Sequence, residues 1–159
     1  MQHVLQVSRK IDYGLRAMIF LASVAGDAIV PFREVAHAMH IPEDFLAKIL
    51  KTLVNGGLVA SARGARGGYR LARPATEISF LDIIEAIEGP IQLNVCLAES
   101  SKGKDSCGLT SSCTMHSVWR EGQDRMLEVY RKSMLAELAM PQSAQLQHLR
   151  VSEAPSGLA

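Results

Sequence analysis

Apolar residues fall at Ile11, Leu15, Met18, Ile19 and Ala22, the three-and-four spacing of a helix. Phe20 and Leu21 add a second apolar side, and a helix apolar over most of its circumference belongs at the centre of a domain. Ser8 is suited to cap this helix, and Gly26-Asp27 ends it after about Ala25. Pro31 fits the first turn of a second helix over 32–39. Ile41-Pro42 opens a third, in which Phe45, Leu46, Ile49, Leu50, Leu53 and Val54 form one stripe. Glu43, Asp44, Lys48, Lys51, Thr52 and Asn55 lie off that stripe, and Asn55-Gly56-Gly57 ends the helix where positive φ is tolerated. A short helix, a tight turn and an amphipathic helix with basic residues outside is the helix-turn-helix pattern.

Two β-like runs follow, over 58–62 and 69–72, around Arg63-Gly64-Ala65-Arg66-Gly67-Gly68. The glycines permit a hairpin turn with arginines at its tip, so the unit reads as a winged helix-turn-helix. Ser79 or Thr76 can cap a fourth helix through Glu88, with Phe80, Ile83, Ile84 and Ile87 on one face and Gly89-Pro90 as its stop. Residues 91–113 read as a loop. Met115, Trp119, Gly122, Met126, Tyr130, Met134 and Leu138 then step by three or four, predicting one long helix from about Thr114 to Ala139. The expected fold class is mainly α with a small β-hairpin wing. The expected divisions are 1–75 for DNA binding, 76–113 for a linker helix and cysteine loop, 114–140 for a dimerisation helix and 141–159 for a flexible tail.

Composition narrows the class. The 159 residues are 48% apolar and 21% charged, with 12 Gly and 6 Pro, which suits a packed chain rather than a low-complexity one. The net charge of +1 hides an asymmetry. Residues 1–75 carry ten Lys/Arg against five Asp/Glu, a net +5, and residues 76–159 carry seven against eleven, a net −4. A nucleic-acid face is therefore expected on the first half. The uncharged run Ala17–Gly26 is short of the roughly 20 residues of a membrane span. Asp12 and Arg16 flank it too closely for a signal peptide, so a cytoplasmic protein without a membrane partner is expected.

Two groups of residues carry candidate chemistry. The start of the third helix offers Pro42, Glu43, Asp44, Ala47 and Lys48 to base edges in a major groove. Lys48 and Lys51 can hold phosphates, and Arg63 and Arg66 can meet phosphates or a minor groove. The expected partner is double-stranded operator DNA bound by a homodimer. The second group is Cys96-x10-Cys107-x5-Cys113-x2-His116. Three thiolates and an imidazole make a soft ligand set. Zinc usually takes ligands in close pairs, of which only Cys113 and His116 form one, whereas an iron–sulfur cluster accepts wider gaps. Three unrelated thiols, a metal-free thiol switch joining Cys107 to Cys113, and a zinc-stabilised structural or interaction protein are the alternatives. No nucleophile, paired-acid or phosphate-loop motif is present, so an enzyme is not expected.

Together these residues resemble the IscR/NsrR-type family of bacterial iron–sulfur transcription regulators. Three stretches carry the resemblance: Ile41-Pro42-x2-Phe45-Leu46-x-Lys48-Ile49-Leu50-x2-Leu53, Gly57-Leu58-Val59, and Arg63-Gly64-x2-Gly67-Gly68-Tyr69-x-Leu71. Ile83-x2-Ala86-Ile87-Glu88-Gly89-Pro90 before the cysteines and Val118-Trp119 after them are similar too. The resemblance implies a dimeric winged-helix regulator, usually a repressor, whose iron–sulfur cluster changes DNA affinity when lost, oxidised or nitrosylated. It implies Cys96, Cys107 and Cys113 as ligands, with a 2Fe–2S cluster favoured and a 4Fe–4S cluster open. His116 matches one choice of fourth ligand in the family. Asp12, reaching from the partner's first helix, matches another, and the nearer spacing favours His116. The ten-residue first gap is longer than is usual in the family.

Overall fold

The computed structural model describes residues 7–24, 28–97, 107, 109 and 112–139. Helix α1 (Arg9–Ser23) begins where Ser8 accepts a hydrogen bond from the Ile11 amide at 3.2 Å. It runs through the middle of the molecule and buries Ile11, Leu15, Ala17, Met18 and Leu21. Helix α2 (Phe32–Ala38) follows, and the chain turns at Met39-His40 into α3 (Glu43–Asn55). The Ile41 amide donates back to Ala36 at 2.9 Å and the Ile41 side chain is buried, so the turn is pinned from both sides.

Leu46, Ile49, Leu50 and Leu53 of α3 face the core. Phe45, assigned to the same stripe from its spacing, is 51% exposed. It sits on the rim with its ring edge-on to Tyr13 of α1, centroids 6.0 Å apart. After Asn55 the Gly57 amide donates to Val54 and the Leu58 amide to Leu53, with Gly57 at φ +69°. This double bond pattern closes the last turn of a helix and requires a left-handed residue, which glycine supplies without penalty.

The wing is an antiparallel hairpin of β1 (Val59–Ala62) and β2 (Gly68–Leu71), with Val59 opposite Leu71 and Ala62 opposite Gly68. Val30 exchanges both backbone bonds with Tyr69, at 2.8 and 2.9 Å, and ties the chain ahead of α2 to the hairpin. A Cβ at Gly68 would lie 2.2 Å from the Val30 carbonyl oxygen, so only glycine fits under that strand.

Helix α4 (Phe80–Glu88) starts in a capping box, with Asp82 N–H bonded to Ser79 Oγ at 3.1 Å and Ser79 N–H to the Asp82 carboxylate at 2.8 Å. Helix α5 (His116–Lys132) is long and buries no residue. The predicted continuous helix to Ala139 is not what forms. The chain extends at Ser133-Met134 and resumes as the short α6 (Leu135–Leu138). The cause is tertiary. Phe80 N–H bonds to the Ser133 carbonyl and Leu135 N–H to the Ile78 carbonyl, each at 2.8 Å, and Leu135 is fully buried. Met134 and Leu138 therefore leave the α5 stripe. One buried cluster joins residues from α1, α3, β1, α4 and α6. No described helix is long and apolar enough to cross a membrane. The tail over 141–159 lies outside the described residues.

Candidate nucleic-acid interface and cysteine region

The burial of Leu46, Ile49, Leu50 and Leu53 decides what α3 shows to solvent. Pro42, at the N-cap, and Glu43, Asp44, Ala47, Lys48 and Lys51 are all exposed. Glu43, Ala47 and Lys51 lie one above another at i, i+4 spacing along that outer face. At the wing tip Arg63 and Arg66 are exposed on either side of Gly64-Ala65, and the Gly67 amide closes the turn on the Gly64 carbonyl at 2.9 Å. The wing base is held to the end of α3 by Ala72 N–H donating to Leu58 at 3.0 Å. A hairpin with two arginines at its tip and a helix face carrying two lysines are thus mounted on one core.

Arg33 was not singled out by the sequence reading. It stands in the first turn of α2 with its side chain 88% exposed, and its Nε is 4.0 Å from the Glu43 carboxylate. The signal available was a cation two residues after Pro31, at the start of the helix that crosses the DNA backbone in such motifs.

The candidate ligands sit as follows. Cys96 is half-buried in a single 3-10 turn, Val95–Leu97. The chain just before it is held to α5 by Leu93 N–H donating to the Gln123 side-chain oxygen at 2.9 Å. Cys107 is half-buried; the residues between it and Cys96 that carry most of the loop, 98–106, lie outside the described residues. Cys113 precedes α5, and its carbonyl accepts from His116 N–H at 3.3 Å, so these two share one turn. The His116 ring nitrogen Nε2 is 3.5 Å from the Arg120 guanidinium. Asp12, on α1, is paired with Arg16 at 2.7 Å. The donor chemistry fits an iron–sulfur cluster. Among the described residues no three His, Cys, Asp or Glu side chains converge as a metal would need.

The outer side of α5 is polar and self-paired. Arg125 bridges Glu121 at 2.9 Å and Lys132 bridges Glu128 at 2.5 Å. The Lys132 hydrogen bond, and then its charge, hold the Glu128 carboxyl below the ordinary carboxylate range. Along the same helix Val118 is 70% and Trp119 40% exposed, an apolar surface without cover among the described residues.

A helix-turn-helix with a hairpin wing is the fold of a winged-helix regulator. The model of the Rrf2 family, described as an iron-dependent transcriptional regulator, matches residues 7–141, and this chain belongs to that family. It is 36% identical over 137 residues to a Mycobacterium tuberculosis protein named as an HTH-type transcriptional regulator, Rv1287, covering 85% of this chain and 81% of the relative. Among solved structures it is similar to CymR, the global cysteine regulator of B. subtilis, with a TM-score of 0.69 and 32% identity, covering 86% of this chain and 97% of that one. It is also similar to T. potens IscR, with a TM-score of 0.64 and 29% identity, covering 96% and 94%.

Proposed function

We propose that this chain is a homodimeric repressor that binds operator DNA through α3 and the wing, and that its affinity for the operator is controlled at the cysteine region. The observation that carries the reading is the exposed cationic set Lys48, Lys51, Arg63 and Arg66 on a single winged-helix core within an Rrf2-family chain. Lys48 and Lys51 would hold phosphates and fix register, and the wing arginines would grip the neighbouring backbone or minor groove. Dimerisation is supported by α5, whose exposed Val118 and Trp119 offer a two-fold partner an apolar face. Paired reading helices then meet a two-fold-symmetric operator.

Cys96, Cys107, Cys113 and His116 would hold an iron–sulfur cluster, with Asp12 of the partner subunit as the other choice of fourth ligand. The cluster supplies a reversible chemical change, by loss, oxidation or nitrosylation, at the N-terminal end of α5. The chain's own part is mechanical. The other end of α5 is fastened to the DNA-binding core through Ser133 and Leu135, so ordering at Cys113 and His116 bears on α4 and α1. Control follows only to the extent that the two conformations differ in affinity for the group. The test is iron, zinc and acid-labile sulfide per chain after anaerobic purification, followed by operator binding of loaded and stripped protein. Cys107→Ala is expected to abolish the response of DNA binding to oxidant or nitric oxide. An unchanged response would overturn cluster sensing.

A second reading is a thiol switch without metal, favoured by the similarity to CymR and by three half-buried thiols in one stretch of the chain. Oxidation would then join Cys107 and Cys113, and a loss of two hydrogens by mass in metal-free protein separates this from cluster chemistry.

A further inference from the structure

Glu43 is an acid at the start of a helix whose surroundings are addressed to a polyanion. Its carboxylate points outward from the first turn of α3, in line with Ala47 and Lys51. Arg33 approaches it only to 4.0 Å, beyond hydrogen-bond length, and both side chains are largely in water, so the pair is weak and opens at little cost. Phosphates repel a carboxylate. Within a major groove only the exocyclic amino groups of cytosine and adenine offer it a donor. Adenine sets the N7 acceptor beside its amino group, and a carboxylate has no proton for N7. Cytosine has no such neighbour.

We infer that Glu43 is a specificity-determining residue that accepts a hydrogen bond from a cytosine N4 amino group in each half-site, while Arg33 is released to the adjacent phosphate. This rests on the DNA-binding reading above. The competing role for Glu43 is to complement the positive N-terminal end of α3, which Asp44 in the same turn does equally. That role predicts no change in sequence preference when the charge is removed.

The experiment is selection from a random duplex pool by the full chain and two variants, followed by binding measurements on the selected sites. The wild-type motif is expected to hold one cytosine per half-site whose replacement weakens binding by on the order of tenfold. Glu43→Gln, which carries a donor beside its acceptor, is expected to move that position from cytosine to adenine and leave the rest of the motif intact. Glu43→Ala, which removes the same charge and puts no donor in its place, should lose the cytosine without gaining adenine. A Glu43→Gln motif identical to the wild type overturns the assignment, as does a Glu43→Ala motif that keeps the cytosine. A wild-type chain that enriches no duplex overturns the DNA-binding reading itself, and the two failures are distinguishable.

Discussion

Helices α3 and α5 are comparably amphipathic, but among the described residues only α3 has its apolar side enclosed. Leu46, Ile49, Leu50 and Leu53 are almost solvent-free against α1 and α4. The longer α5 encloses none of its residues, packs Tyr130 against Phe80 of α4 with ring centroids 5.0 Å apart, and leaves Val118 and Trp119 exposed. An amphipathic pattern therefore declares a face without saying who covers it. Burial against the same chain is a stability statement. An uncovered stripe beside a complete core is a statement about association.

The largest effect should come from asking whether α6 belongs to the α3 side of this division. Leu135→Ala and Leu50→Ala are each expected to cost about 3 kcal/mol, because both side chains are fully enclosed. Urea titration of each variant checks this. A Leu135→Ala protein of near wild-type stability would detach α6 from the core. On α5 the outcome should be opposite in kind. Trp119→Asp is expected to leave the fold of each subunit intact by circular dichroism but weaken the dimer by roughly 2 kcal/mol, read by sedimentation over a dilution series. A subunit that unfolds instead would mean that Trp119 serves its own core.

Smaller again is the wing. Arg66→Ala should lower operator affinity and reduce the slope of log K against log salt by about 0.9, the amount expected for one phosphate contact. An unaltered slope would remove Arg66 from the backbone contacts. The smallest effect concerns the outer face of α5. The Lys132 bond lowers the Glu128 pKa, so the folded state holds that proton less tightly than the unfolded state. Its stabilisation is present above the unfolded value of about 4.3 and fades as the pH falls through the lower folded value. Melting temperatures of wild type and Glu128→Gln should therefore differ slightly at neutral pH and converge in acid. A gap that widens on acidification would contradict the assigned pair.

Much of the first ninety or so residues was legible because their punctuation is local. Ser8, Gly56-Gly57, Ser79 and Gly89 each act within a few residues, and the structure uses all four. The hairpin was legible for the same reason. The break after Lys132 was not. No Gly or Pro marks it, and Met126, Tyr130, Met134 and Leu138 keep helical spacing straight through. What interrupts the helix is the backbone of Ile78–Phe80, more than fifty residues earlier. Phe45 was misplaced for a related reason, since its exposure depends on where Tyr13 ends on another helix. In the cysteine region the donor types and the Cys113–His116 turn could be read from the chain. Convergence of the ligands could not, because spacing along a loop sets reach and not position.

The seating of Leu135 has a consequence for synthesis. The cluster that supports the reading helix includes Leu135, so the winged helix cannot complete its core while that side chain is still inside the ribosome. At elongation rates of about 5–20 residues per second, the half-built winged helix waits several seconds with the surface meant for Leu135 still open. Nascent chains arrested before this segment emerges should thus be protease-sensitive in α3 itself, and the winged helix becomes fully packed only once α6 has left the ribosome.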